Sequence, residues 1–425
     1  MARDKKQPVT KDMARQITRT YWRYAWRYKS RVIGLITTVI LAELTLRYIP
    51  PLIVAGVIQR LSDGNFSNDV WASFGMDIIL YAGISFLSGV ILWRLAIILI
   101  WTLEMRVVRD IHSKIFDHLL SMDANFHANR FGGSLVSQAN KFAGAYIRIA
   151  DTLVFEISSL SLSVIFTTIF LWPRVPQVVI FLWIFSIIFI FTAIKITKHV
   201  RKLNAVEAAA SNKQTGFLAD MVTNVMAVKS YTAAAYENKR YGHALDTTFA
   251  ATKSLMDAST KREIFFSSAT TTLGIVAFII AIISVVLWDA DVATVFLVVQ
   301  YTGLIGQELW NFSRSTLRNY NRALGDAEEM TEILNLKPTV ADPENPEPLH
   351  ISYGELSFNA VTFNHDGANS PIFDNFNLTI KAGQKIGLVG HSGSGKTTFT
   401  RLLMRFSDVN DGSIAIDNQN IAHIT

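Results

Sequence analysis

The chain has 425 residues, of which 50% are hydrophobic and only 17% charged, with a net charge of +6 and no cysteine. Without cysteine there is no disulfide framework and no thiolate metal site, and the low charge sets the chain apart from ordinary soluble domains. A basic total points to nucleic acid or to anionic lipid, and the placement of the charges decides for the membrane.

The first thirty residues have no apolar h-region and no small-residue cleavage site, so the first membrane span is expected to act as an uncleaved targeting signal. Within TYWRYAWRYKSR, Arg19, Arg23, Arg27 and Arg31 form one i, i+4 row, and Trp22 and Trp26 form another. The tyrosines fall elsewhere, so a helix here is not cleanly two-faced. Mixed aromatic and basic residues beside a span suit the headgroup layer, as an anchor or as a lipid site.

Six apolar segments follow, near 31–58, 76–103, 152–172, 176–196, 265–288 and 292–312. Each approaches the ~20 residues that carry a helix across a bilayer, where the backbone must satisfy its own hydrogen bonds. The first is interrupted by Glu43 and Arg47, and the second carries Arg94. Ionisable groups at this depth face a cavity or one another, and Arg94 can also snorkel to the inner interface. Gln300, Gln307 and Glu308 in the sixth span are further cavity candidates.

Lysine and arginine set the orientation. The segment before the first span holds Arg3, Lys5, Lys6, Lys11, Arg15 and the arginine row. The connection after the second span holds Arg106, Arg109, Lys114, Arg130, Lys141 and Arg148, and the one after the fourth is richer still. The other connections, LSDGNFSNDVWASFG, WPRVPQ and WDADV, hold Arg174 alone. The N-terminus, both long loops and the C-terminal segment are therefore cytoplasmic, which accounts for the basic total without nucleic acid. Neither long loop contains proline, and both read as spans continuing as helices into the cytosol and turning back. The turns are expected near SMDANFHANRFGG, broken by Gly132–Gly133, and near FLADMVTNVMAVKSY. His112, His118 and His127 are spaced too irregularly for a metal site and fall on stalk faces.

KPTVADPENPEPLH, with Pro338, Pro343, Pro346 and Pro348, reads as a semi-rigid linker. Strands are expected in GELSFNAVTF, FDNFNLTI and GSIAID, and KIGLVG reads as a buried strand. Gly390-His391-Ser392-Gly393-Ser394-Gly395-Lys396-Thr397 fits the pattern G-x-x-x-x-G-K-[ST]. Its glycines let backbone N–H groups wrap phosphates, and the helix beginning at TTFTRLLMRF favours anions at its start. Lys396 offers a charge to the β- and γ-phosphates, and the Thr397 hydroxyl is the expected Mg²⁺ ligand.

Six spans, two long cytoplasmic loops, a proline linker and a nucleotide domain resemble a half-transporter of the ATP-binding cassette exporter family. IFDNFNLTIKAGQKIGLVGHSGSGKTTFTRLLMRFSDVNDGSIAIDNQNIAHIT is similar to that family's nucleotide domain nearly residue for residue. FHANRFGGSLVSQ and DMVTNVMAVKSYTAAAYENKRY resemble its first and second coupling turns. The resemblance implies a six-helix all-α membrane domain with long cytoplasmic extensions, followed by the N-terminal part of an α/β P-loop NTPase domain. The implied domains are a segment with an interfacial elbow helix at 1–30, the membrane domain at 31–336, the linker at 337–350 and the incomplete nucleotide domain at 351–425. It implies ATP and Mg²⁺ held by Gly390 to Thr398, including Thr398 itself, and His365 where the family stacks adenine on an aromatic. The family's Ser-Gly-Gly signature, Asp-Glu strand end and switch histidine are not found before Thr425, so no catalytic base is assigned. The chain reads as a C-terminally truncated fragment unlikely to hydrolyse ATP by itself. The implied function is ATP-driven export of a lipid, an amphiphilic small molecule or a peptide by alternating access. The partners are a second half-transporter and the bilayer, with the protein in the plasma (inner) membrane. The alternative is a nucleotide-binding subunit that does not hydrolyse but gates a complete partner.

Overall fold

The computed structural model describes residues 9–365, 370–391 and 393–425; Arg3, Lys5 and Lys6 of the basic N-terminus and Ser392 of the glycine-rich loop fall outside them. Among the described residues six helices are long and apolar enough to cross a membrane: Lys29–Ser62, Val70–Leu120, Gly132–Leu171, Pro176–Thr223, Ala234–Leu287 and Val292–Asn335. Each continues one expected apolar segment, and most run well past it, as uninterrupted helix formers should.

The chain divides into two compact units. The membrane unit comprises Arg19–Arg106 and Ala145–Leu324. Its long helices α9 (Pro176–Thr223) and α11 (Ala234–Leu287) have 48 and 54 residues and pack along one another. At 1.5 Å per residue each spans roughly 70–80 Å, far more than a bilayer needs. They are joined by the short α10 (Val225–Ser230), where the second turn was expected.

The core of this unit gathers around Tyr48, Phe166, Phe170 and Tyr301, whose rings lie 5.1–6.1 Å apart. The Tyr301 hydroxyl donates to the Tyr48 carbonyl at 2.7 Å. That carbonyl belongs to a π-helical turn, Leu44–Tyr48, between α2 (Lys29–Glu43) and α3 (Ile49–Ser62). Pro50 and Pro51 lack N–H groups, so the carbonyls of Leu46 and Arg47 lose their i→i−4 donors and the helix widens before them. Three more π-helical turns occur at Leu87–Leu92, Thr152–Ile157 and Phe312–Thr316. The first two of the four pack together, and so do the last two.

Helix α1 (Lys11–Trp26) corrects one expectation. Ile17, Tyr21 and Ala25 recur every four residues and are all buried, while Trp22 and Trp26 stack at 5.2 Å on the exposed side. The helix is two-faced, because Tyr21 falls on the apolar row that the arginines and tryptophans leave open.

The second unit comprises residues up to Thr18, Val107–Gly144 and Gly325–Thr425. The turn in its stalk corrects another expectation. Helix α5 (Trp93–Leu120) ends before the glycines, the five-residue α6 (Ala124–Ala128) follows, and α7 begins at Gly132. The glycines open a helix instead of breaking one, since first-turn N–H groups are unpaired whatever the residue.

Strands β1 (Leu356–Phe363), β2 (Phe373–Ile380), β3 (Asp411–Ile416) and β4 (Gln419–Asn420) form an antiparallel sheet in the order β2-β1-β3-β4. The β3–β4 hairpin turns on Asp417 and Asn418, both left-handed, as the twist of such a two-residue loop demands. Helix α14 (Lys396–Leu403) packs on the sheet through Phe399 and Leu402, with Phe399 stacked on Phe358 at 4.5 Å. The expected buried strand KIGLVG is absent. Residues 385–390 run without a ladder, and Ile386, Leu388 and Val389 are exposed. A strand buried on both faces needs neighbours on both edges, and among the described residues none pairs with this one.

Candidate functional site

The glycine-rich loop enters α14 through Gly395, which is left-handed (φ 88°) and caps the helix. A Cβ there would stand 2.8 Å from the Ile372 Cγ2 atom and 3.2 Å from the Phe373 ring, so only glycine fits. Gly393 is also left-handed (φ 86°), with open space around it. The Lys396 ammonium folds back over the loop and donates to the carbonyls of Gly390 (2.8 Å) and His391 (2.9 Å) and to the Ser394 hydroxyl (3.3 Å). Among the described residues no carboxylate pairs with it. The Thr397 hydroxyl lies on an exposed residue of the first turn, whereas Thr398 is buried.

The arrangement is an anion cradle. It combines an uncompensated cation, a glycine backbone free of Cβ atoms and the positive end of an eight-residue helix. These residues fit the phosphates of a nucleotide, and the exposed Thr397 hydroxyl is available to Mg²⁺.

His365 stands at the same end of the sheet. It lies two residues beyond Phe363, its ring meets the Phe363 ring edge-on at 5.1 Å, and Phe363 pairs with Phe373, the residue against which Gly395 rests. No described contact joins His365 to the loop itself. Two features of this unit escape sequence reasoning. Arg401 of α14 donates to the Asn125 side chain of α6 at 2.6 Å. Asp123, the cap of α6, accepts from the N–H (2.9 Å) and hydroxyl (2.5 Å) of Thr339 and from the Phe126 N–H (2.8 Å). Burial pushes the Asp123 carboxyl up, but the Thr339 donors and the Phe126 and Asn125 N–H groups bring it below its ordinary value.

In the membrane unit, Arg47 joins two acids. Its Nε lies 3.2 Å from Glu43 and its Nη1 2.6 Å from Glu308, while Ser159 donates to Glu43 at 2.9 Å. Glu43 and Glu308 are 3% and 5% exposed, and Arg47 is 30% exposed. The open side of Arg47 lines a cleft of about 360 Å³, walled by Leu46, Pro50, Tyr81, Phe296, Gln300 and Leu304 among others. Arg47 is therefore internally ion-paired and also borders this cleft. Gln300 lines the cleft, Gln307 is exposed, Glu308 is buried in the ion pair, and Arg94 is exposed. The His118 ring contacts the Ile333 carbonyl at 2.9 Å and the His127 ring the Leu119 carbonyl at 2.9 Å. Among the described residues no acidic or histidine group is placed to hold a metal ion.

Comparison with known proteins agrees with this architecture. Residues 38–311 match the family model of the ABC transporter transmembrane region, and residues 373–425 the ABC transporter family model. The mitochondrial iron–sulfur clusters transporter atm1 of Neurospora crassa is 30% identical over 76% of this chain and 45% of its own length. The heavy metal tolerance protein of Schizosaccharomyces pombe is 26% identical over 82% of this chain and 42% of its own. A solved bacterial Atm1-family ABC exporter with ATP bound shares the fold, with a TM-score of 0.73 at 22% identity over 93% of this chain and 69% of that one. The chain spans about half the length of these two curated relatives. With six helices long and apolar enough to cross a membrane among its described residues, a glycine-rich loop opening a helix and a family match over most of its length, this multi-pass membrane protein belongs to the ABC transporter family.

Proposed function

We propose that this chain is one half of a dimeric ATP-driven exporter. The observation that carries the reading is the cradle at the start of α14, where Lys396 sits over left-handed glycines and no carboxylate among the described residues pairs with it. Bound ATP with Mg²⁺ supplies the free energy that drives the cycle. Gly390 to Thr398 would wrap its phosphates, Lys396 would supply a positive charge to them in place of its present loop carbonyls, and Thr397 would hold the cation. Ser392, outside the described residues, completes the loop. His365, at that end of the sheet, stacks on the base. The boundaries at 30, 336 and 350 separate elbow, membrane domain, linker and nucleotide domain. The Arg401–Asn125 contact carries motion of α14 to the stalk tip, and alternating access follows from two packings of the helices.

The cleft beside Arg47, apolar with a few polar groups, supports an amphiphilic cargo. The relatives named for iron–sulfur clusters and heavy metals set the competing cargo class. The distribution of lysine and arginine supports a cytoplasmic N-terminus and nucleotide domain, in the plasma (inner) membrane. The test is vanadate-sensitive ATPase activity of the full-length protein, stimulated by cargo and lost in Lys396→Ala. Equal activity in the variant overturns the proposal. Nucleotide binding without turnover in the unmutated protein assigns it instead to the regulatory, non-hydrolysing class. Transport of a panel of lipids, amphiphiles, peptides and metal complexes decides the cargo.

A further inference from the structure

The Arg47 cluster restricts which head groups the cleft beside it can accept. The guanidinium places Nε 3.2 Å from Glu43 and Nη1 2.6 Å from Glu308, which leaves Nη2 with no partner among the described residues. Arg47 keeps 30% of its side chain open, while the two acids are closed at 3% and 5%. The cleft, of about 360 Å³, is lined by Arg47 but by neither acid. Tyr81 and Gln300 also line it, and both are exposed. Among the described residues neither the Tyr81 hydroxyl nor the Gln300 amide has a hydrogen-bond partner. A ligand in the cleft therefore meets the free donors of an arginine that two carboxylates already hold from behind.

Charge decides the class of head. One guanidinium against two carboxylates gives the ionised cluster a net charge of −1. A carboxylate or phosphate at Nη2 would be a third anion on the same guanidinium, and both acids would oppose it. Even with one acid protonated, the occupied cluster would stay negative. An ammonium head would meet the guanidinium first, and the acids are too closed to reach it. An uncharged carbonyl takes the free N–H donors, adds no charge and leaves the apolar walls, Phe296 and Leu304 among them, to the rest of the molecule. The volume lies near the lower end of the roughly 300–1,000 Å³ of small-molecule sites, enough for a head and a short apolar body. We propose that this cleft is a cargo subsite for small uncharged amphiphiles whose carbonyl oxygen accepts from Arg47 Nη2, and that the Glu43–Arg47–Glu308 cluster excludes anions from it. The exporter reading enters only in calling the ligand cargo; its binding requires no nucleotide.

Photolabelling of the full-length protein in phosphatidylcholine nanodiscs at neutral pH, without nucleotide, tests this apart from the ATPase assay. Three probes share a trifluoromethyl-diazirinyl-phenyl body and differ in the head: N-methylcarboxamide, carboxylate or trimethylammonium. Mass spectrometry locates the label, and labelling of the lipid corrects for each probe's partition into the disc. The amide probe is expected to label the segments around Arg47, Tyr81 and Gln300 at least about tenfold more strongly than either charged probe. Glu43→Gln with Glu308→Gln turns the cluster from −1 to +1, and the carboxylate probe is then expected to overtake the amide. Adding Arg47→Met to that pair removes the donor and is expected to abolish the preference among heads. Where one of these variants fails to fold, the other decides. Equal labelling by all three probes, a carboxylate preference in the wild type, or a preference unchanged in either folded variant overturns the proposal. Amide labelling that appears in detergent and vanishes in the nanodiscs gives the cleft to bilayer lipid and overturns it as a cargo site. Failed labelling with intact ATPase activity removes the subsite alone, and selective labelling without ATPase activity removes the exporter reading and leaves the binding site standing.

Discussion

The sharpest test of the membrane unit is removal of the Arg47 guanidinium. Glu43 and Glu308 are nearly sealed from solvent, and among the described residues Arg47 is the cation paired with both, at 3.2 and 2.6 Å. Arg47→Met keeps most of the side-chain volume and leaves two buried acids uncompensated. Glu43 retains the Ser159 hydroxyl at 2.9 Å, while among the described residues Glu308 keeps no other partner. Breaking one buried pair costs about 3–5 kcal/mol, a roughly 150- to 4,000-fold change in the folded-to-unfolded ratio. Replacing all members of such a cluster by neutral residues is far milder, because the attraction lost is offset by the desolvation avoided. Arg47→Met is therefore expected to be strongly destabilising alone and close to neutral beside Glu43→Gln and Glu308→Gln. The assay is the fraction folded on SDS titration of the full-length protein in mixed micelles, arranged as a mutant cycle. The reasoning fails if Arg47→Met costs the same in both backgrounds, because the cost would then arise from packing and not from stranded charge.

Three further outcomes are expected. Gly395→Ala forces a left-handed alanine toward Ile372 and Phe373, and binding of a fluorescent ATP analogue should drop to the level of Lys396→Ala. Phe399→Ala removes the ring stacked on Phe358 and should cost about 3–5 kcal/mol, whereas Phe399→Leu costs under ~1.5; limited proteolysis of the nucleotide unit reads the difference. The Asp417 carboxyl accepts from the N–H groups of Gly354, Tyr353, Glu355 and Ser352 at 2.6–3.0 Å, which hold it down at about 2. A depressed folded-state value stabilises above the unfolded value of about 3.9 and loses that contribution as pH falls toward the folded one. The thermal-stability gap between wild type and Asp417→Asn should accordingly be constant at neutral pH and close across that acid window.

The six spans were legible because each is a long apolar run whose length alone implies a bilayer. The glycine-rich turn opening a helix at Lys396 was legible because glycines at that spacing before a lysine mark a left-handed backbone and a helix start. The π-helical turns were not, although Pro50 and Pro51 mark one of them in plain view; the others depend on packing between helices distant in sequence. Glu308 was visible as a polar residue in a span, but its pairing with Arg47 joins residues in the first and sixth helices. KIGLVG was read from its apolar continuity, and continuity reports what a strand prefers to touch, not whether a neighbour is there to touch it.

That last case bears on how the cradle is held. Val389, just before the loop, is 92% exposed, so the approach to Gly390 receives no support from sheet pairing among the described residues. The loop is fixed from its far end instead, by Gly395 against Ile372 and Phe373 and by the Phe399–Phe358 stack one turn into α14. Two consequences separate. Among the described residues the Lys396 ammonium hydrogen-bonds to Gly390, His391 and Ser394 of its own loop, so removing it should abolish phosphate affinity and leave the packing of α14 intact. The Phe399 ring stacks on Phe358 and its N–H donates to the Gly395 carbonyl at 2.8 Å, so it anchors the helix whose start the phosphates would meet, and truncating the ring should weaken both packing and affinity. A cradle built into the sheet from both sides would instead tolerate the loss of Phe399 with its affinity unchanged, and that contrast distinguishes the two constructions.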